Sequence, residues 1–242
     1  MNKAIQEAEI TGEFNWKIPS IAPSFVSGED ARAVYEQVKD FGRVWYDEES
    51  QTMKGSNFPI AARVDSILRA RGIRVANLAD LSRPEIMDMV KDKHYSDTPT
   101  LVLRTLEDSY SSNKDIIKGL VPYIEQKQGK LRLPVLVSGL DVVLSNKTQY
   151  KWSVVPRDDF NVVHDERLLG KYNREKFSNV DKLGLPLFDK KGNRTWYAKD
   201  SGISRLFLYY YLDLYSGSGD LVNSVECGRV ALVRGEASSR SF

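Results

Sequence analysis

The sequence predicts an α+β protein, with a helix-rich portion followed by a β-rich, largely antiparallel one. Three observations carry this. Apolar residues recur at helical spacing in several stretches between residues 27 and 128. Short Val/Leu-rich runs separated by turn residues follow Gly129. The 242 residues are 41% hydrophobic and 28% charged, a balance that fits a soluble globular chain able to bury a core without cross-links. Runs of helices followed by runs of strands argue for α+β or for two domains. The division read from the pattern is an N-terminal arm over residues 1–26, a helix-rich portion over 27–128 and a β-rich portion over 129–242, the last two separate or one folded unit. A small α/β layer, in which strands near residues 73 and 101 continue the later sheet, is the architectural alternative.

In chain order, the arm begins with a short helical pattern and continues as TGEFNWKIPSIAPSF, where Pro19 and Pro23 prevent a regular helix. Its Trp16, Ile18, Ile21 and Phe25 need something to pack on, either this domain or a second subunit. Ser27 reads as an N-cap, and Ala31, Val34, Tyr35, Val38 and Phe41 form the stripe of a first helix before Gly42. RVWYDEES reads as a strand. A second helix carries Ile60, Ala61, Val64, Ile67 and Leu68 on one face, and Gly72 ends it. IRVANL follows, then a third helix capped by Ser82 with Pro84 in its first turn. TPTLVLRTL reads as a strand, and a fourth helix is expected over residues 114–126, kinked or divided at Pro122.

After Gly129, LRLPVLVSGLDVVL and YKWSVV read as strand, turn, strand, turn, strand, with turns at Ser138-Gly139 and Ser145-Asn146, and FNVVH reads as a further strand. LGLPLFDKKGNRTWYA resembles a hairpin about Lys191, Gly192 and Asn193. SRLFLYYYLDLYS and GRVALVRG complete the strand series.

The composition excludes several classes. One cysteine, Cys227, rules out a disulfide framework, and two histidines, His94 and His164, leave too few ligands for a Cys/His zinc cluster. Any metal site would be carboxylate-based. No apolar run approaches the length of a spanning helix, and MNKAIQEAEITGEF is charged rather than leader-like, so the expectation is a cytoplasmic protein with no membrane partner. GxSxG, GxxxxGK[ST], HExxH and GxGxxG are all missing, and no cofactor is expected. Cys227 lies in the strand-like run VECGRV, where a cysteine is ordinarily an inert core residue.

Two charged segments remain. The net charge of +2 hides an asymmetry: residues 167–205 hold ten Lys/Arg against four Asp/Glu. This segment interleaves its cations with aromatic residues, the combination that binding of single-stranded nucleic acid requires. On that reading Lys171, Arg174, Lys176, Lys190, Lys191, Arg194 and Lys199 neutralise phosphates, and Trp196 or Tyr197 stacks on bases. A solvated loop surface is the plain alternative. The second segment, PRDDFNVVHDER, gathers Asp158, Asp159, His164, Asp165 and Glu166 about a short strand. Clustered carboxylates can hold Mg²⁺ or Mn²⁺, so a metal-dependent hydrolase or nuclease is the alternative function, against ordinary surface ion pairs with Arg157 and Arg167.

ILRARGIRVANLADLSRPEI resembles a helix-hairpin-helix element, a small module that grips the DNA backbone. The resemblance covers twenty residues, lacks the second glycine of the usual hairpin, and would place Arg69, Arg71, Arg74 and Arg83 near Gly72. A helix, the strand IRVANL and another helix is the other reading of the same residues.

Finally, FLYYYLDLYS sets three consecutive tyrosines, Tyr209, Tyr210 and Tyr211, where strand alternation would turn at least one ring away from the main core. The result would be a ligand platform, a second core or a subunit contact. The function expected is a non-enzymatic binding or assembly protein with nucleic acid as partner. A structural subunit that self-associates through its arm and tyrosine-rich strand is a further alternative.

Overall fold

The computed structural model describes residues 23–234. The chain is a mixed α+β structure of four helices and thirteen strands among these residues, and its sheets are largely antiparallel. The first portion supplies β1 (Ser24–Phe25), α1 (Ala31–Val38), β2 (Trp45–Asp47), β3 (Thr52–Lys54), α2 (Phe58–Arg69), β4 (Ile73–Val75), α3 (Pro84–Val90), β5 (Ser96–Leu103) and α4 (Ser111–Gln128). The second supplies β6 (Val135–Leu144), β7 (Trp152–His164), β8 (Lys176–Val180), β9 (Pro186–Phe188), β10 (Arg194–Ala198), β11 (Ile203–Leu208), β12 (Leu214–Ser216) and β13 (Ala231–Arg234). The arm reading falls mostly outside the described residues; its last two described strand residues pair with β13.

Eight strands form the main sheet in the order β7-β6-β5-β11-β12-β10-β8-β9, antiparallel throughout except where β10 runs parallel to β12. β1, β13 and β4 form a second sheet, and β2 and β3 a hairpin. Strands from both portions share sheets: β5 lies between β6 and β11, and β4 pairs with β13. All eight residues of β5 are buried. Leu101 and Leu103 join the core beneath α2 and α4, while Val102 points to the opposite core, with Ile86 of α3, Phe177 and Trp196. Alternation on a strand covered on both faces thus builds two cores on one sheet.

Local chemistry explains the helices. Asn57 caps α2 by accepting the Ile60 N–H at 3.0 Å, and Pro59 sits in the first turn, where its missing donor costs nothing. α4 continues through Pro122 rather than dividing there, because Ile116, Ile117, Leu120 and Ile124 hold its buried face together. Pro122 lies on the exposed side, so the carbonyl it leaves free, at exposed Lys118, can be met by water. Ser27 does not cap α1: its hydroxyl donates to Phe25 O, and the helix starts at Ala31.

Three strand expectations are corrected. Ser138-Gly139 is not a turn: β6 runs on through it, and the register shifts because β7 sets four residues, Arg157 to Phe160, against the single Gly139, which takes φ +69°. LGLPLFDKKGNRTWYA is not a hairpin, since β9 and β10 both pair with β8 and lie on either side of it. Gly192 makes that crossing feasible: a Cβ there would stand 2.3 Å from the Phe177 backbone. SRLFLYYYLDLYS is not one strand. It folds back between β11 and β12, with Leu212 at φ +66° and its N–H donating to Tyr209 O at 2.7 Å.

No helix among the described residues is long and apolar enough to cross a membrane.

Candidate functional site

The fold-back of residues 209–213 creates the most distinctive surface of the molecule. Register places Phe207 of β11 opposite Tyr215 of β12, and Tyr215 beside Tyr197 of β10, so three rings from neighbouring strands stand in a row. Both contacts in the row are stacked, with centroids 5.0 Å apart. Tyr209, Tyr210 and Tyr211 crowd over one end, with Tyr209 and Tyr210 centroids 3.9 Å apart and Tyr210 and Tyr211 4.3 Å apart. Tyr211 is 65% exposed. Tyr95 of the Lys91–His94 turn's far side meets Phe207 edge-on at 5.7 Å. Together they wall a cleft of about 610 Å³. The Tyr210 phenol is held above its ordinary pKa first by its hydrogen bond with Tyr209, and the Tyr211 phenol first by its hydrogen bond with Tyr210, so both remain neutral at physiological pH.

An ion pair forms the floor. Asp97 of β5, opposite Phe207 in the register, takes both carboxylate oxygens to Arg205 Nη1 at 3.1 Å. The same Nη1 donates to Ser56 O at 3.3 Å, whereas Arg205 Nε is buried without a partner. The guanidinium packs against two aromatic rings that meet edge-on, 4.6 Å from the Phe207 centroid and 5.7 Å from that of Tyr95. Burial pushes the Asp97 carboxyl up to about 6, against the opposing pull of Arg205. Tyr95 Oη donates to Ser56 O at 2.9 Å and receives the Val225 N–H at 3.1 Å, which ties the floor to the last loop. Cys227 lies in a turn of that loop, half-buried at the cleft wall, and not in a strand core.

The residues expected to contact nucleic acid divide. Lys171, Arg174, Lys176, Lys190 and Lys191 are exposed. Lys171 lies 3.5 Å from Glu166, and Lys176 donates to Thr195 Oγ1 at 2.9 Å. Lys199 does not face outward: it pairs with buried Asp108 at 3.4 Å and also donates to Ile203 O. Arg194 is buried over Phe177. Trp196 is wholly buried in the second core and offers no stacking surface, because alternation along β10 turns Trp196 inward and its neighbour Tyr197 toward the cleft. Of the two aromatic residues proposed to stack, only Tyr197 reaches a ligand-accessible surface.

The acidic cluster does not converge. β7 runs on through Asp158 and Asp159, which lie in the stretch where its register with β6 shifts, and the two carboxylates have different surroundings. Asp158 is exposed. Asp159 accepts two hydrogen bonds from Arg157 and pairs with Arg69 at 2.8 Å; burial would raise its pKa, but these arginines outweigh it and hold the carboxyl low. Asp165 pairs with Arg167 at 2.6 Å, and His164 Nδ1 donates to Pro134 O at 2.8 Å with Glu166 3.7 Å from its other nitrogen. About six residues of strand, on the order of 20 Å, separate Asp159 from Asp165. No group of three or more His, Cys, Asp or Glu side chains is placed to hold a metal ion among the described residues. Arginines engage Asp159 and Asp165, and Lys171 lies beside Glu166, as ion pairs of the kind the plainer sequence reading expects.

The helix-hairpin-helix resemblance is also corrected. Its residues form α2, then strand β4 paired with β13, then α3. Arg69 pairs with Asp65 and Asp159 and Arg74 with Asp80, so these two guanidinium groups serve internal contacts, while Arg83 lies 3.7 Å from Glu85 at the surface.

Sequence reasoning had singled out the tyrosine run but not its geometry, and missed Tyr95, Asp97 and Arg205 as one assembly. No family model, curated protein or solved structure matches the chain.

Proposed function

We propose that the protein is a non-enzymatic binding protein for single-stranded nucleic acid, and that the tyrosine cleft receives its bases. The observation that carries this reading is the tyrosine fold-back itself: Tyr209, Tyr210 and Tyr211 stand over the row of Phe207, Tyr215 and Tyr197. The cleft volume of about 610 Å³ lies within the range of small-ligand sites and suits a nucleotide-sized unit. Every base presents a π face, and each base stacked on an aromatic side chain contributes about 1–3 kcal/mol. Cations stand nearby for phosphates. Exposed Lys91 and Lys93 flank Asp92, whose N–H donates to Tyr210 O at 2.8 Å; exposed Lys190 and Lys191, in the turn leading into β10, are the cations proposed to meet phosphates further along a strand.

Fluorescence anisotropy of a labelled single-stranded oligonucleotide at several salt concentrations tests the proposal. Expected are binding that weakens steeply with salt, weaker binding of a duplex of the same sequence, and a loss of about 5- to 100-fold for Tyr211→Ala. Charge reversal at Lys190 and Lys191 should weaken binding and flatten its salt dependence. Equal binding of an abasic strand, or no binding at low salt, overturns the proposal.

A further inference from the structure

Beyond the cleft, and sharing Tyr211 with it as a wall, lies a second cavity of about 380 Å³. Its other walls come from the 3-10 turn before α3 (Ser82), from α3 itself (Met87), from β8 (Ser178, Asn179) and from the start of β10 (Asn193, Arg194). No acidic residue lines it among the described residues.

The state of Arg194 is the informative observation. The residue is only 6% exposed, and its guanidinium lies 4.6 Å from the Phe177 ring centroid. Nε donates to Leu212 O at 2.6 Å, and Leu212 is a wall of the cavity. Nη1 reaches a second wall residue, Ser82 Oγ, only at 3.5 Å. Nη2 is buried with no partner. No carboxylate stands within ion-pair distance of it among the described residues. Asp213 acts on it only through its field, without an ion pair, and spends Oδ1 on the Thr195 N–H at 2.6 Å. Burial lowers the Arg194 pKa to about 10, which leaves the group cationic at neutral pH.

Other buried or partly buried arginines show what is unusual here. Arg205 has Asp97, and Arg157 has Asp65 and Asp159. Arg104 also lacks an ion pair, yet each of its three nitrogens is bonded: Nε to Leu168 O at 2.6 Å, Nη1 to Ser204 Oγ and Nη2 to Ser216 Oγ, both at 2.8 Å. Arg194 alone of these four combines a missing counter-charge with an unused guanidinium donor beside an open cavity. Burying an uncompensated charge is unfavourable, and an anion that enters relieves it. Ser82, Ser178, Asn179 and Asn193 add hydroxyl and amide donors for the remaining oxygens of a tetrahedral group.

We infer that the Arg194 cavity is a binding site for a phosphate group. Where that phosphate belongs to the ligand whose base occupies the tyrosine cleft, the inference rests on the proposed function; as a site for free phosphate it stands alone. Tyr211 is then the partition between a ring-binding cleft and an anion-binding pocket.

Calorimetric titration of the full chain with inorganic phosphate, a nucleoside and the corresponding nucleoside 5′-monophosphate separates the two. Saturable phosphate binding is expected for the wild type. Ser82→Asp sets a carboxylate beside Nη1, and should weaken phosphate binding at least about tenfold while leaving the thermal midpoint unchanged or higher, since it supplies the missing counter-charge. Ser82→Asn, neutral and of the same size, should retain binding. The 5′-monophosphate should bind more tightly than either phosphate or nucleoside. If phosphate binds and the nucleoside adds nothing, the anion site stands and the base-binding cleft falls. No saturable response to phosphate, or equal responses from wild type and Ser82→Asp, overturns the inference.

Discussion

The Asp97–Arg205 pair under the tyrosine cleft gives the sharpest energetic test. Two unit charges 3.1 Å apart attract by about 5 kcal/mol at an effective dielectric of about 20. Against this stands the cost of removing both ions from water, several kcal/mol each, so the pair as a whole contributes close to nothing. Removing one member is different. Asp97→Asn keeps the side-chain shape but strands a guanidinium that cannot lose its proton, and should cost about 3–5 kcal/mol. Arg205→Met strands a carboxyl that can escape by protonation, and should cost somewhat less, about 2–4 kcal/mol. The double variant should lie within about 2 kcal/mol of wild type, because neither charge is then left alone. Equilibrium urea unfolding reads all four proteins, and equal slopes for the four confirm that midpoints report stability. Losses below about 1 kcal/mol for both single variants would show that the floor is not desolvated. Additivity within about 0.5 kcal/mol would show that the two groups do not interact.

Three further outcomes follow from the same contacts. Asp97 titrates at about 6 in the folded protein against 3.8 as the ordinary value, so the folded state binds the extra proton between those limits; its contribution to stability is complete below about 4 and lost as pH rises through about 6, on the order of 3 kcal/mol. Asp97→Asn should remove that component from the pH profile of the urea midpoint, and an unchanged profile would assign the titration elsewhere. Gly139→Ala should destabilise by at least about 2 kcal/mol, because φ is +69° and a Cβ would stand 2.4 Å from Asp159 O; a variant as stable as wild type would mean the β6–β7 bulge can be redrawn. Asn57→Ala should lower stability by about 1–2 kcal/mol in thermal unfolding, since it removes both the cap on Ile60 N and the amide donor to Val222 O at 3.1 Å.

Periodicity made the helices legible. The stripes of α1 and α2 lie where the apolar residues recur, because a 3.6-residue repeat is local and one buried face dictates it. Strand partners were not legible, since pairing is a long-range choice. TPTLVLRTL reads as a strand, but nothing in it says that it sits between β6 and β11 at the sheet centre. The tyrosine run failed for a specific reason. Its reversal depends on Leu212 at φ +66°, a conformation ordinarily signalled by Gly or Asn, and Leu-Asp carries no such signal. The basic segment failed for another: Lys199 with Asp108, and Arg205 with Asp97, pair across 91 and 108 residues, so cations counted as a surface excess are in part internal. At Trp196-Tyr197 the alternation was readable and its phase was not, and phase decides which ring enters the core.

The two buried arginines give the tyrosine fold-back a direction. Arg205 stands on one side of it with its charge matched by Asp97, so the cleft floor is close to neutral and its walls are rings. Arg194 stands on the other, bonded to the fold-back's own Leu212 carbonyl, with no carboxylate of the described residues at ion-pair distance. A ligand lying across Tyr211 therefore meets an aromatic surface first and a positive one second. An apolar ring gains little in the Arg194 cavity, where polar donors would lose water without return, and an anion gains little in the cleft, where Arg205 is already engaged. A molecule that joins a planar ring to an anionic group satisfies both, and only in one orientation. Five residues of one turn, from Tyr209 to Asp213, fix the spacing between the two environments, which makes the reversal at Leu212 the structural origin of any selectivity this surface has.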